Sequence, residues 1–155
     1  MRATEKGSEE HAGRTAKTVL IPTLLVSGLV GVWIAANDGW LWAVAPIHAY
    51  GLIAFAALDV ILALVVIVVP RLAYVGALLV STTQVAAMAG DALSFTPTGT
   101  MQAAFRAYLL GDSAFLVLLG IQLAVAGITA TAIAMPHGVR HRVPFAQARP
   151  LKSPH

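Results

Sequence analysis

Between Thr18 and Pro136 the chain carries only six charged side chains, Arg71, Arg106, Asp38, Asp59, Asp91 and Asp112. That interval also divides into four apolar stretches of the length a helix needs to cross a bilayer, about 20 residues. No other feature constrains the fold as tightly. In hydrocarbon every backbone N–H and C=O must be bonded within the protein, and a helix does this within each segment. The sequence therefore predicts an all-α integral membrane protein built as a four-transmembrane-helix bundle.

The first span is read at residues 18–36, with Pro22 in its first turn, where a missing N–H costs little. Asn37, Asp38 and Gly39 are turn residues that stop it. The second span is read at 48–69 and ends at Pro70; the third, at 72–92, is closed by Phe95 to Gly99. The fourth starts ahead of the membrane near Met101 and is read at 111–135, ending at Met135 and Pro136. The apolar link from Trp40 to Ile47 is too short to cross and reads as an interfacial loop or short helix. The first apolar run exceeds the 7–15 residues of a signal peptide, and its leader holds Glu5, Glu9 and Glu10, so the span is expected to be retained.

Charge collects at the ends. Residues 1–17 form a polar tail with Arg2, Glu5, Lys6, Glu9, Glu10, Arg14 and Lys17, and residues 137–155 a basic tail with Arg140, Arg142, Arg149 and Lys152. Four spans place both tails and Arg71 on one side, which then holds every Lys and Arg except Arg106. The positive-inside rule makes that side the cytoplasm of a cell in whose plasma membrane the chain sits. Trp33, Trp40, Trp42, Tyr50, Phe95, Phe105 and Tyr108 gather at the expected outer boundary, where amphipathic rings prefer to lie, and Tyr74 marks the inner one.

Composition narrows the function classes. Only 11% of the residues are charged, against about 25% in a soluble domain, and mean hydropathy is +0.80. The net charge of +3 fits anionic lipid head groups at span ends, and no aromatic-interleaved basic patch points to nucleic acid. The absence of cysteine removes disulfides, thiolate metal sites and thiol nucleophiles. His48 is the only histidine within the spans, which excludes a bis-histidine haem held by this chain alone. No cofactor, metal-ligand set or catalytic constellation is expected. His137 and His141 lie four apart, but Pro136 and Gly138 weaken a helix there and Arg140 and Arg142 would repel a cation; they read as a basic flank.

Asp59 falls near the middle of the second span, where a carboxylate costs ~2.5–3.5 kcal/mol on insertion scales, so it is expected to face the bundle interior. No Lys or Arg reaches that depth. Protonation is the inexpensive answer, since the neutral acid can donate to an amide oxygen. Gln84 and Gln122, at mid-depth on the third and fourth spans, are the candidate partners. Tyr74, Ala77, Ser81, Gln84, Met88 and Asp91 share one face of the third span, and Gln122 and Thr129 one face of the fourth. His48 lies eleven residues before Asp59, on nearly the same face at about 100° per residue, and is a candidate proton entry above it. Asp38, Asp91, Arg106 and Asp112 form an outer-rim cluster suited to an ion pair or a divalent cation. Gly28, Gly31, Ala56, Ala63, Gly120 and Gly127 supply small contact surfaces between helices.

These features predict a non-catalytic accessory or structural subunit of a larger membrane complex, such as an energy-transducing, respiratory one, with lipid and other membrane subunits as partners. The alternative is a small proton- or ion-coupled transporter using Asp59.

Overall fold

In the computed structural model, residues 2–93 and 100–134 are described, all within helices or the single-residue breaks between them. The helices are α1 (Arg2–Asn37), α2 (Gly39–Val44), α3 (Pro46–Val68), α4 (Pro70–Leu93), α5 (Thr100–Gly111) and α6 (Ser113–Ala134). Four segments are long and apolar enough to span a membrane: Thr15–Asn37, Pro46–Val68, Pro70–Leu93 and Ser113–Ala134. The closing segment Phe95 to Gly99 and the basic C-terminal tail with His137 and His141 lie outside the described residues.

Helix boundaries follow local chemistry. Helix α1 starts sixteen residues before Thr18, because the leader is rich in good helix formers such as Ala3, Glu5, Lys6 and Glu9. Pro22 consequently sits inside the helix and not in its first turn. It removes one i→i−4 donor, while the neighbouring Thr23 hydroxyl donates to the Val19 carbonyl at 2.7 Å. Asp38 ends α1 and starts α2, its Oδ1 accepting the Leu41 N–H at 2.8 Å. Pro46 and Pro70 open α3 and α4, each at a position whose N–H has no partner within its own helix. Val69 alone separates α3 from α4, and the two pack against each other. The stretch from Met101 to Ala134 is two helices and not one. Gly111 is a poor helix former, and Asp112 Oδ1 accepts the Ala114 N–H at 2.7 Å, which starts α6 afresh.

The four long helices form a closed ring in which α1 packs on α3, α3 on α4, α4 on α6 and α6 on α1. Each turns a stripe of 3.5-residue period inward. On α3 it is Ala49, Leu52, Ala56, Asp59, Ala63 and Val66, and on α6 Phe115, Leu118, Gln122, Val125, Thr129 and Ala132. Leu20, Leu24, Ser27 and Ile34 continue it on α1. Spacings of three and four in alternation are those of knobs-into-holes seams. Helices α1 and α3 approach backbone to backbone. A Cβ on Gly28 would lie 3.2 Å from the Ala56 carbonyl oxygen, and one on Gly31 3.5 Å from that of Leu52. Gly120 and Gly127 play no such part: nothing stands within 4 Å of a Cβ built on either.

The interior is layered. One apolar cluster joins Leu20, Leu24, Ala63, Val66, Tyr74 and Val125. The other, at the opposite end, joins Ile34, Leu41, Leu52, Leu109, Phe115 and Leu118. Aromatic rings crowd the second end: Trp40 stacks against Tyr108 with centroids 4.3 Å apart, and Trp42 meets Tyr50 edge-on at 5.0 Å. The Trp42 indole N–H donates to the Ala35 carbonyl at 2.6 Å, which ties α2 to α1.

Candidate functional site

Between the two apolar clusters lies a polar layer made by α1, α3 and α6. Ser27, Asp59 and Gln122 are 1%, 2% and 0% exposed. The Gln122 amide donates to Ser27 Oγ at 2.5 Å and to Asp59 Oδ2 at 3.2 Å. Three helices are thus joined through the one Gln122 amide. Asp59 Oδ1 and Gln122 Oε1 have no hydrogen-bond partner among the described residues. Asp59 therefore meets Gln122, one of its two expected partners, and Gln122 also holds Ser27, a residue outside the expected set. The signal for Ser27 was available: it falls on the stripe of Leu20, Leu24 and Ile34.

Gln84 belongs elsewhere. It lines a cavity of about 240 Å³ with His48, Leu52, Phe55, Met88 and Asp91. His48 Nε2 lies 3.1 Å from Asp91 Oδ2, which links the start of α3 to the end of α4. The expected alignment of His48 with Asp59 is one of helix face alone: the contacts of His48 run sideways to α4, and those of Asp59 to α1 and α6.

The rim residues divide between two places. Asp91 lines the cavity with His48, whereas Asp38 and Asp112 line a second one of about 290 Å³ with Trp33 and Tyr108. Both of these aspartates hold backbone N–H groups at helix starts, and Asp112 Oδ2 also accepts the Tyr108 hydroxyl at 3.2 Å. Arg106 is exposed on α5. Among the described residues no group of three or more His, Asp or Glu side chains is placed to hold a metal ion.

The buried hydroxyls of Thr129 and Ser81 bond within their own helices. Thr129 donates to the Val125 carbonyl at 2.7 Å and Ser81 to that of Leu78 at 3.1 Å. Such back-bonding removes the cost of a hydroxyl in an apolar seam. The fold and its polar layer define an all-helical bundle with four candidate membrane-spanning helices, the form of a multi-pass membrane protein. No family model, curated protein or solved structure matches the chain.

Proposed function

We propose that this chain is a non-catalytic accessory or structural subunit of a larger membrane complex, of the energy-transducing kind, in the plasma membrane with both termini cytoplasmic. The observation that carries this reading is how the buried polar groups are used. Gln122 on α6 bonds both Ser27 on α1 and Asp59 on α3. Interhelical bonds of this kind are worth only ~0.6 kcal/mol on average, so their main effect is to select one register of the seams. All four long helices run unbroken past the layer, whereas secondary transporters commonly bind substrate where a helix is interrupted at mid-depth. A bundle whose polar interior serves its own packing offers partners a rigid apolar exterior.

The test is purification of the tagged full chain from its native membrane in mild detergent, followed by native mass determination. A stoichiometric assembly with different polypeptides is the expected result. A lone monomer or homo-oligomer in several detergents would sink the proposal.

A second reading, a small proton- or ion-coupled transporter, draws support from one observation. Asp59 Oδ1 and Gln122 Oε1 are buried and without hydrogen-bond partners among the described residues, so the layer could take up a further donor. The Asp59→Asn experiment argued in the Discussion separates the two.

A further inference from the structure

We propose that the cavity shared by α3, α4, α5 and α6 binds a small membrane-soluble ring with hydroxyls at opposite ends, of the hydroquinone class. Its volume is about 240 Å³, more than the roughly 150 Å³ of an engineered apolar cavity known to take benzene. Leu52, Phe55, Met88, Leu109 and Phe115 give it hydrocarbon and aromatic walls. Gly51 completes one wall, and a Cβ there would meet nothing within 4 Å. A glycine in mid-helix costs stability relative to alanine, and here its effect is to leave the cavity open.

Two polar stations stand in these walls. Gln84 is 3% exposed, and its Oε1 has no hydrogen-bond partner among the described residues. The His48–Asp91 pair stands at the half-exposed end. Gln84 and Asp91 are seven residues apart on α4, two helical turns, or about 10 Å along the axis. The occupant must therefore be apolar in its middle and polar at its ends. A lipid acyl chain fills the volume but leaves the buried Gln84 amide unpaired. One water molecule cannot bridge 10 Å, and beside Gln84 it would lack the two to four polar partners that buried waters use. A hydroxyl suits either orientation of the Gln84 amide, because it both donates and accepts. A ring with hydroxyls at opposite ends, extended by two hydrogen bonds of ~2.8 Å, covers a span of this order.

The experiment uses the full chain in lipid nanodiscs, with fluorohydroquinone as the probe followed by ¹⁹F NMR and empty nanodiscs as the background. Fluorobenzene serves as the same ring without hydroxyls. Saturable binding of fluorohydroquinone is expected, weakened about tenfold by Gln84→Leu, the loss of one hydrogen bond. Gly51→Leu should abolish it by filling the cavity. Gly51→Ala, which adds one methyl to open space and favours the helix, should weaken it in the same direction without risk to the fold. Three results would overturn the proposal: no saturable binding, fluorobenzene binding as tightly, or an affinity indifferent to the substitutions at Gln84 and Gly51.

Discussion

Gln122 on α6 donates its side-chain amide to the Asp59 carboxyl on α3 at 3.2 Å, at a depth where neither side chain is accessible. Each occupies an inward position of its own 3.5-residue stripe, with apolar neighbours three and four residues away on both sides. Sliding either helix by one turn would place an amide or a carboxyl against Ala, Leu or Val. The pair therefore helps set the register of a ring whose contacts are otherwise mostly interchangeable hydrocarbon.

A double-mutant cycle on this pair tests that role. Asp59→Asn keeps an acceptor for Gln122 and should change stability by less than ~1 kcal/mol. Asp59→Leu should cost up to about 2 kcal/mol, and Gln122→Leu should cost more, because it leaves a buried carboxyl with no donor among the described residues. The coupling energy between the two sites is expected at ~0.6–1.7 kcal/mol, read from reversible unfolding in mixed micelles. Additive costs would mean that the contact does nothing for the bundle.

The same position separates subunit from transporter. An amide has the shape and hydrogen-bonding capacity of the acid but cannot change charge. In proteoliposomes made from the purified chain, the structural reading predicts that Asp59→Asn folds normally and alters no pH-dependent flux. Loss of such a flux with the fold intact would instead establish a carboxyl that titrates during transport.

Much of this architecture is legible in the residues, because apolar length and turn chemistry act locally. Four apolar runs and the Asn37-Asp38-Gly39 stop are visible without a structure. Asp59 announces itself by depth, since a carboxyl there needs company. What resisted reading was the choice among partners of equal chemistry. Gln84 and Gln122 lie at similar depth, and only the ring order α1–α3–α4–α6 turns Gln122 toward Asp59 and Gln84 toward the cavity beside His48. Ser27 falls on the inward stripe of α1, but serine is common in apolar helices, where it ordinarily bonds its own backbone, so its place there does not announce a bond to another helix. The break at Asp112 depends on a side chain accepting from Ala114, a local event that apolar periodicity does not register.

Topology is the next expectation, resting on the distribution of Lys and Arg in the sequence. The chain has no cysteine, so single cysteines can be introduced at Lys6, Gly39, Thr98 and Lys152 and labelled with an impermeant maleimide in intact cells. Positions 39 and 98 should label directly, and positions 6 and 152 only after permeabilisation. The reverse pattern would invert the bundle in its membrane while leaving its helix packing unaffected.

The glycines give a final prediction, in which the same substitution has opposite signs at different places. At Gly28 an added Cβ would stand 3.2 Å from the Ala56 carbonyl oxygen, a backbone atom that moves only if α3 moves. Gly28→Ala should therefore force α1 outward by a few tenths of an ångström, and Gly28→Leu should cost on the order of 1–3 kcal/mol by overpacking. At Gly120 and Gly127 nothing lies within 4 Å. Alanine there adds helix propensity without a clash and should stabilise α6 by about 0.5–1 kcal/mol at each position. The measurement is the unfolding midpoint of each variant in the same mixed micelle. Destabilisation by Gly120→Ala or Gly127→Ala would show that those faces are covered by something besides lipid, which is the outcome a neighbouring subunit packed on α6 would produce.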